Sequence, residues 1–272
     1  MLKAITRAVS RHIARCELTY RPREPVDYDR AVRQHAAYCD LLRRQCAQLI
    51  ELEASDANPD CCFVADTAVV FEELAVIASM GAPSRRDETS AVEKSLSAHR
   101  QVRRIAPPAM LDGGDVVIIR KQIFVGHSRR TNHQGIEALT RIVRPFGYNI
   151  ASVAVTGSLH LTTACSVLNE ETLLVNPRWI DVAPFARFWV LPVPEDEPWA
   201  AGTMRVGERV CVEAAAPRTL QLVGQHCGAD MDVLDISEFR KAEGSLSCLS
   251  ILFRDTANPD HINQNKEVKY AK

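Results

Sequence analysis

A unit of local structure that recurs along the chain constrains the fold more than any other feature of the sequence. Each unit is an apolar strand, a tight turn, a second strand and a helix, and successive units are roughly 45 residues apart, a spacing typical of propellers and arrays. A repeated unit determines the architecture more strongly than a single local pattern does. We therefore predict an α/β fold of five units around an axis. An open α/β sheet of unrelated hairpins is the alternative.

The units are recognised by their paired apolar segments. The pairs, each with the helix that follows, are 66–71 and 74–78 with 88–99; 114–119 and 123–130 with 132–146; 160–168 and 173–177 with 180–187; and 203–206 and 210–212 with 217–226. A fifth half-unit lies at 248–253, and the N-terminal segment 1–9 can complete it. A further helix with Asp27 or Asp29 as its cap is predicted before the first unit.

The first strand of every unit begins with a polar or nucleophilic segment. If five units surround an axis, these strand starts meet at one central point. The starts are 60–66, 112–115, His160, 199–203 and Cys248. We therefore expect one domain over residues 1–254 with its functional residues at the axis. The polar segment 255–272 has too few apolar residues to form a core, so we expect it to be disordered.

Composition excludes several classes of protein. The net charge of −1 gives no reason to expect nucleic acid or an anionic membrane as a partner. The chain has no apolar run of about 18 residues, and segment 1–15 lacks the apolar part of a secretory signal. Nine cysteines are scattered, and the adjacent pair Cys61 and Cys62 does not form a C-x-x-C motif. We expect free thiols in a cytoplasmic, reducing setting, without a metal site.

Cys248 is the candidate nucleophile. It follows a loop of small residues that begins at Gly244, and it precedes an apolar, β-branched segment that predicts a buried strand. A cysteine at the start of a rigid strand, next to a flexible loop, can face a cleft. A small, buried, inert thiol is the alternative interpretation.

His160 and Asp112 are the candidate partners of that thiol. A cysteine needs a base because a free thiol titrates near pH ~8.5. His160 lies between two leucines on a predicted strand, and Asp112 precedes two glycines, so that its carboxylate could accept the ring N–H of the histidine. A structural histidine and an ordinary turn are the alternatives.

Two further pairs of charged residues indicate the ligand. Asp60 and Asp66 flank an apolar segment, and paired carboxylates suit a planar cation. Arg85 and Arg130 occur in matching Ser-Arg-Arg triplets, 84–86 and 128–130, which suits a carboxylate. Turn residues and a solvated surface are the alternatives. Together the pairs describe an arginine-like ligand.

Six short motifs carry a family resemblance. They are DCCFVAD at 60–66, GAPSRR at 81–86, LDGGDV at 111–116, FVGHSRRTN at 124–132, LHL at 159–161 and LSC at 246–248. In this order they resemble the dimethylarginine dimethylaminohydrolase family of the guanidine-modifying pentein superfamily, over residues 4–253. The resemblance implies a five-bladed α/β propeller, a small-molecule substrate and no cofactor, with a homodimer as one option for its assembly.

The resemblance also implies a role for each site residue. The implied roles are Cys248 as nucleophile, His160 as acid and base, Asp112 as its orienting group, Asp60 and Asp66 for the guanidinium, Arg85 and Arg130 for the α-carboxylate, and backbone carbonyls near Leu18 and Ala242 for the substrate amine. Our hypothesis is hydrolysis of Nω-methylated arginine to citrulline and methylamine or dimethylamine. An arginine deiminase or other guanidine hydrolase, and a non-catalytic arginine-binding module, are the alternatives.

The chain departs from the family pattern at three positions. Ala65 stands where a glutamate is usual, which removes a carboxylate beside the substrate. Leu249 stands where some members have a second cysteine, and Glu243 where an aspartate is common. The departure at Ala65 leaves the identity of the preferred guanidine open.

Overall fold

The protein consists of five three-stranded sheets. The computed structural model describes residues 1–228 and 230–255, so most of the predicted tail lies outside the described residues. In every sheet the first strand pairs antiparallel with the second, and the second pairs parallel with the third. In three cases the first strands of neighbouring sheets contact one another, and the third strands lie outermost. The predicted five-bladed α/β propeller is confirmed.

The strands follow the chain in order. Their bounds are β1 (Leu2–Arg7), β2 (Gln48–Leu52), β3 (Ala68–Val70), β4 (Leu74–Ile77), β5 (Gln101–Arg104), β6 (Val116–Ile119), β7 (Gln122–His127), β8 (Asn149–Ala154), β9 (Cys165–Val167), β10 (Thr172–Val175), β11 (Trp189–Pro192), β12 (Met204–Val206), β13 (Arg209–Glu213), β14 (Asp230–Leu234) and β15 (Ser250–Arg254). The sheet orders are β15–β1–β2, β3–β4–β5, β6–β7–β8, β9–β10–β11 and β12–β13–β14. The N-terminal strand thus completes the fifth unit, as predicted.

Six α-helices accompany these strands. Their bounds are α1 (Tyr28–Gln45), α2 (Thr89–Leu96), α3 (His133–Val143), α4 (Leu161–Ala164), α5 (Pro217–Cys227) and α6 (Ser237–Lys241), all among the described residues. The side chain of Asp27 caps α1 by accepting the N–H of Arg30 at 2.9 Å, which confirms one of the two predicted caps. None of the helices in 1–228 and 230–255 is long and apolar enough to cross a membrane.

The sequence analysis predicted two strands in each unit and missed the third. Parallel strands need a crossover connection, and the helix of each unit supplies it between the second and third strands. In the third unit a short 3₁₀ turn, Ala183–Phe185, takes the place of the predicted helix 180–187. The third strands are half exposed and carry mixed side chains, as in Gln101–Arg104, so they lack the apolar pattern of a buried strand.

Five short helical turns lie at the starts of the first strands and form the centre of the molecule. These axial turns are Val64–Thr67, Gly113–Asp115, Leu161–Ala164, Pro198–Ala201 and Leu246–Leu249. The turns Val64–Thr67, Gly113–Asp115, Leu161–Ala164 and Leu246–Leu249 contact one another in a closed ring, and Pro198–Ala201 contacts Leu161–Ala164. The segments that we expected to converge therefore do so. His160 and Cys248, however, lie on these turns rather than on strands, which corrects the sequence interpretation.

All nine cysteines are free thiols, as predicted. Eight are buried, and Cys227 is half buried. The buried thiols fill apolar space in the cores of the blades, the common role of an unpaired cysteine.

Candidate active site

Cys248 is the third residue of the axial turn Leu246–Leu249, directly before β15. Its side chain is 4% exposed. The backbone N–H of Ser245 lies 3.4 Å from its Sγ, and the Ser245 Oγ lies 3.2 Å away. Burial, and then the nearby charge of Asp66, raise the pKa of the thiol to about 11. The sulfur is therefore a neutral thiol at physiological pH in the ligand-free protein.

His160 precedes the axial turn Leu161–Ala164 and is fully buried. Its two ring nitrogens face two carboxylates: Nε2 is 3.0 Å from Oδ2 of Asp112, and Nδ1 is 3.5 Å from Oδ1 of Asp66. Burial acts to lower the pKa of this histidine, but the carboxylates, Asp66 foremost, outweigh it and raise the pKa to about 9. His160 is therefore an imidazolium at neutral pH and can act as a proton donor.

Asp112 is held rigidly behind the histidine. It precedes the axial turn Gly113–Asp115 and has no exposed surface. Its Oδ1 accepts the N–H of Gly81 at 2.8 Å, which leaves Oδ2 for His160. The structure therefore shows the contact between this carboxylate and the imidazole that the sequence analysis anticipated.

Position 114 requires glycine because the neighbouring site residues leave no room for a Cβ. A Cβ at this position would lie 2.4 Å from Oδ1 of Asp66 and 2.8 Å from Cγ of His160, closer than real Cβ atoms approach. The second glycine of the Asp-Gly-Gly-Asp motif thus allows the backbone to pass between two site residues.

Asp66 and Arg85 form a buried ion pair. Nη1 of Arg85 donates to Oδ2 of Asp66 at 2.7 Å, and the same guanidinium contacts Glu88 through Nε and Nη2 at 2.8 to 3.1 Å. Nη2 also faces two backbone carbonyls. The sequence analysis assigned Asp66 and Arg85 to opposite ends of the ligand, whereas the structure joins them. One hydrogen of Nη1 has no acceptor among the described residues.

Asp66 also retains a free acceptor. Its Oδ1 is buried and makes no hydrogen bond within residues 1–228 and 230–255. Burial acts to raise the pKa of this carboxyl, but His160 and Arg85 hold it below its ordinary value, so the group is ionised. An ionised oxygen next to the imidazolium is a suitable contact for a cationic ligand.

Arg130 approaches the same oxygen of Asp112 that faces His160. Its Nη1 is 3.9 Å from Oδ2 of Asp112 and has no hydrogen-bond partner in the described part of the chain. The side chain is 8% exposed. Its backbone fits against Gly81, where a Cβ would lie 2.5 Å from the Arg130 carbonyl oxygen. Among the described residues, Nη1 of Arg130 is thus available to bind a ligand, whereas Arg85 has a single N–H available, on its Nη1.

Asp60 is bound to the segment that leads to Leu18. Both of its carboxylate oxygens face the backbone N–H of Glu17, at 3.1 and 3.3 Å. Burial raises the pKa of this carboxyl, and the charge of Arg85 opposes the increase. Asp60 lies at the edge of the site, next to the N-terminal loop.

Glu243 connects the two segments whose carbonyls were expected to bind an amine. It follows Ala242, is 2% exposed and has a positive φ of 59°, which is unusual for a residue other than glycine. One of its oxygens, Oε1, accepts the consecutive backbone N–H groups of residues 19–21 at 2.9, 2.5 and 2.6 Å. Glu243 thereby holds the loop next to Leu18 against the nucleophile segment.

Sequence reasoning missed three residues of this site. Glu243 was noticed only as a departure from a pattern, and Ser245 and Glu88 were not noticed. The spacing of Arg85 and Glu88, three residues apart, was a usable signal for their ion pair. No local signal indicates that Glu243 binds a loop more than 220 residues away.

The other two departures from the family pattern have different surroundings. Ala65 is half buried, and its carbonyl oxygen would lie only 2.2 Å from a Cβ added to Gly113. Leu249 is completely buried in the apolar cluster that contains Cys248, so it belongs to the core.

Comparison with known proteins identifies the family. The family model described as N,N dimethylarginine dimethylhydrolase, eukaryotic, matches residues 17–184. A protein of Streptomyces coelicolor named N(G),N(G)-dimethylarginine dimethylaminohydrolase is 37% identical over 93% of this chain and 97% of its own length. The chain belongs to the dimethylarginine dimethylaminohydrolase family. A Pseudomonas aeruginosa protein of the same name is 31% identical over 84% of this chain and 90% of its own.

Solved structures of dimethylarginine dimethylaminohydrolase have the same fold. A variant of the Pseudomonas aeruginosa enzyme, complexed with citrulline, superposes with a TM-score of 0.88 at 30% identity and covers 92% of this chain and 98% of that one. The N-terminal domain of ArgZ, described as an arginine dihydrolase from cyanobacteria, reaches a TM-score of 0.82 at 15% identity over 93% of this chain and 98% of that one. The likeness to ArgZ concerns the fold alone.

Proposed function

We propose that this chain hydrolyses Nω-methylated arginine to citrulline and methylamine or dimethylamine through a covalent thiouronium intermediate on Cys248. One observation carries the proposal: the thiol of Cys248, the imidazolium of His160 and an unpartnered oxygen of Asp66 share a single buried site. Membership in the dimethylarginine dimethylaminohydrolase family supports the substrate class.

The first step is binding of the guanidinium. The free Oδ1 of Asp66 accepts its N–H groups, and Asp60 contributes further negative charge at the edge of the site. The positive charge of the ligand, placed beside Cys248, lowers the pKa of the thiol from its ligand-free value of about 11. The thiol then releases its proton to solvent, and the thiolate attacks the guanidinium carbon.

His160 transfers the remaining protons. As an imidazolium it donates a proton to the leaving methylamine or dimethylamine when the C–N bond breaks, which leaves the thiouronium on Cys248. The neutral imidazole then takes a proton from water, which attacks the same carbon. Collapse of the tetrahedral adduct expels the thiolate, the hydroxyl proton passes to solvent and citrulline is released, while Asp112 holds the ring in position throughout.

The remainder of the substrate is held around this centre. The free donor of Arg130 and the remaining N–H of Arg85 bind the α-carboxylate. The carbonyls of Leu18 and Ala242 accept from the α-ammonium. The contacts of Glu243 with residues 19–21 support this assignment because they bring the two carbonyl-bearing segments together.

Ala65 favours a second candidate function, the hydrolysis of another guanidine such as arginine itself. Parallel assays with arginine, monomethylarginine, dimethylarginine and agmatine, with citrulline or carbamoylputrescine measured, distinguish the candidates. Turnover of a methylated arginine, with an adduct on Cys248 detected by mass spectrometry, is the expected result. Binding of the ligand without adduct or product would instead identify a non-catalytic binding module.

We also propose a cytoplasmic location and retain a homodimer as one option for the assembly. The nine free thiols support a reducing compartment. Cell fractionation tests the location, and light scattering of the purified protein tests the homodimer.

A further inference from the structure

Ser245 provides the hydrogen bonds that reach the sulfur of Cys248. It directly precedes the axial turn Leu246–Leu249 and is 5% exposed. Its Oγ lies 3.2 Å from Sγ and its backbone N lies 3.4 Å away, both within the range for sulfur. Within residues 1–228 and 230–255 no other group makes a hydrogen bond to this sulfur.

The number of available protons determines the direction of the hydroxyl bond. The backbone N–H of Cys248 has the Ser245 carbonyl oxygen as its acceptor at 3.1 Å, so the Ser245 hydroxyl is left for the sulfur and for Ser247. Ser247 Oγ lies 3.0 Å from Ser245 Oγ and has only a weak alternative acceptor, the Thr162 carbonyl at 3.5 Å. Once the thiol ionises, the sulfur has no proton, so Ser245 Oγ must be the donor of the 3.2 Å bond whatever Ser247 does. The ionisation also strengthens this bond because a hydrogen bond to an anion is stronger.

His160 makes no hydrogen bond to the sulfur in the described part of the chain. Both of its ring nitrogens face carboxylates, those of Asp66 and Asp112. The charge of Asp66 also opposes ionisation of the thiol, and so does burial. The sulfur therefore depends on neutral donors and on the substrate for stabilisation of its anionic form.

Close packing holds Ser245 in place. A Cβ on Gly202, next to the axial turn Pro198–Ala201, would lie 2.4 Å from Cβ of Ser245 and 2.8 Å from its Oγ. Only glycine at position 202 leaves room for the serine side chain.

We propose that Ser245 is a catalytic residue that binds the Cys248 thiolate through its hydroxyl and backbone N–H. It stabilises the thiolate at two moments, when the nucleophile forms and when the thiouronium collapses and expels it. The inference deepens the proposed function and rests on its assignment of Cys248 as the nucleophile. No proton changes hands between the serine and the sulfur, because the hydroxyl only donates a hydrogen bond.

The first experiment measures the pKa of the Cys248 thiol directly. The ultraviolet absorbance of the thiolate is titrated for wild type, Ser245→Ala and Ser247→Ala, each against its own Cys248→Ser derivative, so that the other eight cysteines cancel. Ser245→Ala should raise the pKa of Cys248 by about one unit or more, because it removes a charge-assisted hydrogen bond. Ser247→Ala, in the same loop but without contact to the sulfur, should leave this pKa close to wild type. If Ser245→Ala and Ser247→Ala gave the same thiolate titration curve, the proposal would be overturned.

Kinetics provide a second readout. Ser245→Ala should lower kcat for methylated arginine by roughly 10-fold or more while KM changes little, because the lost bond acts on the sulfur rather than on the substrate. Ser245→Gly, which keeps the backbone N–H, should behave in the same way and replaces Ser245→Ala if that variant does not fold. A rise in KM with unchanged kcat would contradict the role.

The outcomes separate this inference from the proposed function. If wild type turns over no guanidine, the thiolate titration still decides whether Ser245 stabilises the anion. If wild type turns over methylated arginine and Ser245→Ala titrates and reacts as wild type does, only the role of Ser245 fails.

Discussion

Arg85 and Asp66 form an ion pair of 2.7 Å in the interior of the protein, with both side chains no more than 3% exposed. The pair orients Asp66 so that its second oxygen faces His160. Buried charges of this kind contribute little net stability, but removal of one partner leaves the other uncompensated. Arg85 therefore has a structural function in addition to any contact with the substrate.

The two arginines should respond differently to replacement. Arg130→Ala should raise KM for substrates with an α-carboxylate by roughly 10- to 100-fold, through loss of a charge-assisted contact, and should hardly affect an alkylguanidine without that group. Arg85→Ala should also lower the free energy of unfolding by about 3–5 kcal/mol, because Asp66 and Glu88 remain buried without their partner. Urea denaturation and steady-state kinetics measure both effects. Equal loss on both substrates with Arg130→Ala would show that this arginine is structural.

Cys248→Ser should abolish turnover and leave the fold intact, because a hydroxyl is a far weaker nucleophile at neutral pH. Circular dichroism should match wild type, and mass spectrometry should find no adduct. Substantial remaining activity would place the nucleophile elsewhere.

The raised pKa of His160 predicts a dependence of stability on pH. In the folded protein the pKa is about 9, above the ordinary 6.5, so folding favours the protonated form. The stabilisation from this group is fully present below pH 6.5 and is lost as the pH rises through about 9. The stability difference between wild type and His160→Gln should therefore decrease across this interval in denaturant titrations. A difference that does not vary with pH would contradict the imidazolium assignment.

Glu243→Ala should release the loop at residues 19–21, because three backbone N–H groups lose their acceptor. Chymotrypsin should then cut after Tyr20 at least 10-fold faster than in wild type, by the loss of several hydrogen bonds of about 1 kcal/mol each. Glu24→Ala is the matched control, because it removes only an ion pair with Arg21 at a partly exposed position of the same loop. Equal cleavage of the two variants would show that Glu243 does not hold the loop.

Ala65→Glu should restore a carboxylate beside the substrate and narrow the range of guanidines accepted. A polar group that binds a particular substrate atom discriminates more sharply than added volume does, so kcat/KM should shift towards methylated arginines relative to arginine. An equal increase in kcat/KM for all guanidines would show that the added charge strengthens binding without discriminating between substrates. No change in any kcat/KM would show that position 65 does not contact the substrate.

The sequence by itself determined the repeat and its convergence. Apolar periodicity located the first two strands of each unit and helix α1, with Asp27 as one of its two possible caps, because such patterns arise from local burial. The repeat then implied that Asp112, His160 and Cys248 approach a common axis, and the ring of axial turns places them there.

Only the tertiary structure decided which of these residues touch. The contact of Glu243 with residues 19–21 and the fit of Ser245 against Gly202 join different blades or distant parts of the chain. Asp66 and Arg85, 19 residues apart in one blade, pair only once that blade has folded. Such contacts depend on how the blades close around the axis, and no local pattern encodes them. The axial turns Leu161–Ala164, which His160 precedes, and Leu246–Leu249, which contains Cys248, were missed for the same reason: each is four residues long, too short for an apolar period to distinguish it from the strand that follows.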